Sequence, residues 1–149
     1  FALPIGTRTH MDSWNPTEQE IIEWAHDPSA GWPDEDWDMC VSARENLDLI
    51  FQLADEACPQ AEFFVHCLYM RVGGFASFAA AADASVISNG EIDMLIAKAA
   101  TSHNLAVRRW GERSRAFLAD PDAFDRKSWV KGGWALDDEI WPTDRGRAN

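Results

Sequence analysis

The chain has 149 residues, 46% of them hydrophobic, and a formal net charge of −12. That length suits one domain around one core, and that apolar fraction excludes an intrinsically disordered chain. The acids gather in the first half. Up to Met70, 14 carboxylates meet only Arg8 and Arg44, whereas from Arg71 onward 11 acids meet 11 bases. Such a layout repels phosphates and disfavours nucleic-acid binding through the first half, while it attracts a basic partner.

Phe1 to His10 hold Pro4, Gly6 and two threonines without periodicity, and end at His10-Met11. Two readings stand side by side: a tag or linker ahead of a native Met11, or a flexible natural arm. Residues 11–149 are expected to form a single helical domain.

The first helix is expected to begin near Pro16, with Asn15 as cap and Glu18 and Glu20 against the positive end of the dipole. Ile21, Ile22, Trp24 and Ala25 supply its apolar side. Asp27-Pro28 stops it, and Ser29 to Pro33 form a turn-rich connection. Trp37, Cys40, Arg44, Leu47, Phe51, Ala54 and Cys58 then recur in steps of three and four, and Ile50 widens the stripe. They predict a helix from Asp36 to Ala57 in which Arg44 is the one polar interruption.

Pro59 to Val72 is apolar almost all round, the signature of a central helix. Gly73-Gly74 ends or kinks it, and Phe75 to Ala82 is expected to continue as a small-residue helix. Ser88-Asn89-Gly90-Glu91 fits a capping box. The stripe of Ile92, Leu95, Ile96, Ala99, Ala106, Val107, Trp110, Phe117 and Leu118 stays in phase, which predicts one long helix from Glu91 to Ala119. Thr101 to Asn104 are its weak point. Pro121 ends it. Asp122 to Asn149 is an aromatic-rich tail with Trp129, Trp134 and Trp141, expected to wrap over the bundle with at most a short helix near Ala135 to Ile140. The expected architecture is therefore all-α, a compact bundle of about five helices with an irregular Trp-rich C-terminal tail.

Cys40, Cys58 and Cys67 are odd in number, form no CxxC pair and lie in apolar helical contexts. They read as buried free thiols under reducing conditions, so the cytoplasm is the expected compartment. The longest apolar stretch is too short for a bilayer span, and no membrane association is expected.

No motif fixes a reaction. Glu-x-x-His spacing occurs at Glu23 and His26, but a di-iron bundle needs two such motifs, and Glu62 and His66 are four apart. A metal-binding helical-bundle enzyme built on Glu23, His26, Glu62 and His66 stands as an alternative, as does a homo-oligomeric structural or regulatory module. Cys67 and His66 are neighbours on a helix and cannot face each other as a dyad. Arg108, Arg109, Glu112, Arg113 and Arg115 form a basic face, read as solvated or as neutralising part of the acidic half. The densest acidic run is Asp34-Glu35-Asp36-Trp37-Asp38, next to Trp32. Its local reading is helix capping and dipole stabilisation; its functional reading is a docking surface for Lys or Arg of a partner, with Trp32 or Trp37 as anchor. The leading expectation is a non-enzymatic, cofactor-free domain that binds a basic protein, in the manner of an immunity or inhibitor protein acting on a toxin or nuclease.

Overall fold

Thr17 opens the first helix. In a computed structural model of the chain, which describes residues 12–42, 47–74, 89–125, 128–129 and 131–133, its hydroxyl accepts from the Glu20 amide at 3.1 Å. The Glu20 carboxylate accepts from the Thr17 amide at 2.8 Å. This reciprocal capping box satisfies two otherwise orphaned amides and displaces the start from Asn15-Pro16 by two residues. Helix α1 then spans Glu18–Ala25 and buries Ile21, Trp24 and Ala25.

Helices α2 (Trp37–Ser42) and α3 (Leu47–Asp55) lie within the stretch where one long helix is expected. Trp37, Cys40, Leu47, Ile50, Phe51, Ala54 and Cys58 are all buried, as their spacing predicts. Residues 43–46, with Arg44, lie outside the described residues. After α3 the chain reverses through Ala57, whose φ of 56° is the left-handed conformation that commonly ends a helix. The amide of Gln60 then donates to the carbonyl of Ala25 at 3.1 Å, which ties the start of the next helix to the end of α1.

Helix α4 (Ala61–Tyr69) is the centre of the molecule. Every residue from Phe63 to Tyr69 is buried. It packs against α2, α3, a later helix and a C-terminal turn, so an element apolar on nearly all sides has cover on nearly all sides. At its end it widens into a π-helical turn, Met70–Gly74.

The expected single helix from Glu91 to Ala119 is two: α5 (Asn89–Ala100) and α6 (Leu105–Ala119). Thr101 and Ser102 donate their amides three residues back, to Lys98 and Ala99. Asn104 then caps α6, its side-chain oxygen accepting from the amides of Ala106 (2.9 Å) and Val107 (3.3 Å). Its Nδ2 also donates to the Ala54 carbonyl at 3.0 Å, so the cap pins this corner to the end of α3. Asn104→Ala removes both functions and is expected to cost about 1–2 kcal/mol, read as a lower urea midpoint with an unchanged m value.

The two helices fold back on each other through Gly111. A Cβ there would lie 2.8 Å from Cβ of Ala99 and 3.4 Å from the Ile96 carbonyl oxygen. Gly111→Val should therefore force α5 and α6 apart and destabilise the fold by about 1–3 kcal/mol, measurable as a fall in Tm. Of the shared stripe, Ile92, Leu95, Ile96, Ala99, Val107, Trp110 and Phe117 are buried, while Ala106 and Leu118 face outward.

Beyond α6 and a 3₁₀ turn at Pro121–Ala123, the start of the tail returns to the core. Trp129 is fully buried, stacked on Phe117 at 4.4 Å, and its indole N–H donates to the Tyr69 carbonyl at 2.9 Å. A second 3₁₀ turn, Lys131–Gly133, packs on α4. The expectations for Phe1 to His10, Phe75 to Ala82, the Ser88 cap, Trp134, Ala135 to Ile140 and Trp141 lie outside the described residues. What is described is all-α, with one contiguous core and no strand. Among the described residues no helix is long and apolar enough to cross a membrane.

Candidate binding surface

The acidic loop between α1 and α2 is held by aromatic and amide contacts. The Trp24 indole N–H donates to the Gly31 carbonyl at 3.0 Å. The Gln60 side chain donates to the carbonyls of Asp27 (2.8 Å) and Ala30 (3.2 Å). Beneath the loop, Phe63 meets Trp24 (4.7 Å), Trp32 (5.5 Å), Trp37 (6.4 Å) and Phe64 (5.1 Å) in a cluster of mostly edge-to-face rings. The geometry is the favourable one for aromatic pairs.

The six residues expected to form a docking surface divide. Trp37 is 0% exposed: it belongs to the core stripe that its spacing also predicts, and its indole cannot reach a partner. Trp32 is 44% exposed. Glu35 is exposed, and Asp34, Asp36 and Asp38 are half-buried. Two of these carboxylates serve the local backbone, Asp34 accepting from the Asp36 amide and Asp38 from the Met39 amide, each at 2.9 Å. Asp38 has a second task. Its other oxygen lies 3.0 Å from Nε2 of His66, whose side chain is 4% exposed, and this contact joins α2 to α4.

That pair was not legible from sequence, because its members are 28 residues apart and share no motif. Around it sit Ser42, whose carbonyl accepts from the buried Arg71 guanidinium at 2.8 Å, and the Cys67 thiol, 3.9 Å from the Asp38 carbonyl. Burial pulls the Arg71 pKa down, opposed by the charge of Glu91. Burial pushes the Cys67 thiol far up, with the Asp38 carboxylate adding to the shift and a hydrogen bond to Ser42 opposing it. Cys40 is raised too, first by burial and then by Asp34, Asp36 and Asp38. All three cysteines are free and buried, as expected from their number and context. Thiols held protonated in this way are poor nucleophiles.

The residues of the metal alternative point to different neighbours. Glu23 accepts from Gln19 at 3.2 Å, His26 lies 3.1 Å from Glu56, Glu62 is exposed and His66 faces Asp38. Among the described residues, no three side chains of His, Cys, Asp or Glu converge where they could hold a metal ion.

The expected basic face is also divided. Arg113 is buried and donates to the Tyr69 hydroxyl at 3.0 Å, while Arg109 and Arg115 are exposed. Arg108 donates to the Ser102 carbonyl at 2.9 Å, and the Lys98 ammonium lies over the Phe51 ring. Each of these contacts is to a neutral group.

These features define an acidic all-α domain with an exposed tryptophan on the carboxylate-bearing loop between α1 and α2. The chain matches no family model, no curated protein and no solved structure.

Proposed function

We propose that this chain is a non-enzymatic protein-binding domain that neutralises a basic toxin or nuclease by covering its surface, as an immunity or inhibitor protein does. The observation that carries the reading is the charge of the first half of the chain. From residue 12 to residue 70 the sequence holds 14 carboxylates against a single arginine, Arg44, and no lysine. Two of those carboxylates face histidines, Glu56 at His26 and Asp38 at His66. A surface of that sign steers a cationic protein into encounter. Trp32 supports the reading as the aromatic anchor such an interface needs, on a loop tied down before the partner arrives. Three buried free thiols suit a reducing compartment, and we place the protein in the cytoplasm.

The test is affinity capture on the immobilised full chain from an extract of the source cells, followed by association kinetics with whatever is retained. The expected partner is basic and associates more slowly as salt rises. Trp32→Ala should weaken it by about 30-fold or more, corresponding to about 2 kcal/mol for an anchor residue, and Glu35→Lys should slow association. Capture of acidic proteins alone, or of none, would contradict the proposal.

A further inference from the structure

We draw no further inference here: the strongest candidate, the half-exposed indole of Trp32 on the acidic loop between α1 and α2, belongs to the surface already proposed for partner binding, and nothing in the structure shows what covers it.

Discussion

Gly73→Ala should destabilise the protein by about 3 kcal/mol, a large effect for one methyl group when a domain's whole stability is about 5–15 kcal/mol. The cause is the place of Gly73 in the π-helical turn that follows α4. A Cβ on it would overlap Cδ1 and Nε1 of Trp129. The indole has nowhere to retreat. Its rings meet Phe117 at 4.4 Å, Tyr69 at 5.0 Å and Phe124 at 5.3 Å, and its N–H is engaged by the Tyr69 carbonyl. The alanine must therefore expel Trp129 or distort the π turn, and expulsion forfeits most of what Trp129→Ala would lose, about 3–5 kcal/mol. Guanidinium unfolding of the two single variants and the double variant separates these effects. Once Trp129 is gone the clash is gone, so Gly73→Ala/Trp129→Ala should be no less stable than Trp129→Ala alone, a strongly non-additive cycle. Gly31→Ala is the control: nothing lies within 4 Å of a Cβ there, and a change within about 0.5 kcal/mol is expected. Additive costs at positions 73 and 129 would refute the account.

The stripes that predict the helices say which residues are buried, and for α1, α3, α4 and most of α5 and α6 the burial follows them. They do not say where the chain turns back. A stripe in phase from Ile92 to Phe117 suits one long helix and an α-hairpin equally well, because both members of a hairpin bury one face. What decides is local chemistry at Asn104, whose side chain caps α6, and close packing at Gly111, which meets Ala99. The same competition shifts the start of α1: Asn15-Pro16 is a plausible opening, but Thr17 with Glu20 satisfies two amides at once. At the candidate surface, Trp37 fits both the core stripe and the acidic run by spacing, and burial assigns it to the first. Buried polar contacts were the least legible. Arg113 on Tyr69 and His66 on Asp38 join residues 44 and 28 apart. Only tertiary packing brings such residues together, so no periodicity announces them.

Phe63→Ala should be the most damaging single substitution near the candidate surface, costing about 3–5 kcal/mol. The ring is 2% exposed and stands between Trp24, Trp32, Trp37 and Phe64. Its loss leaves a cavity and also removes several edge-to-face pairs, each worth about 0.5–1.5 kcal/mol beyond area burial. Truncation alone would confound folding with binding, so the informative variant is Phe63→Leu. Leucine keeps the position apolar and fills part of the volume, and it should cost about 1–2 kcal/mol while the fold survives. Its effect on binding follows from Trp32, whose ring meets Phe63 edge to face at 5.5 Å. With that floor gone, the indole must be ordered at the moment of association, at an expense of about 0.5–1.5 kcal/mol for one immobilised side chain. Phe63→Leu is therefore expected to bind the captured basic partner several-fold more weakly, mainly through faster dissociation, and combined with Trp32→Ala it should add little further loss. A folded Phe63→Leu variant with unchanged affinity would mean that Trp32 does not anchor the partner. Undiminished stability in Phe63→Leu and Phe63→Ala alike would mean that the ring cluster does not hold this end of the bundle together.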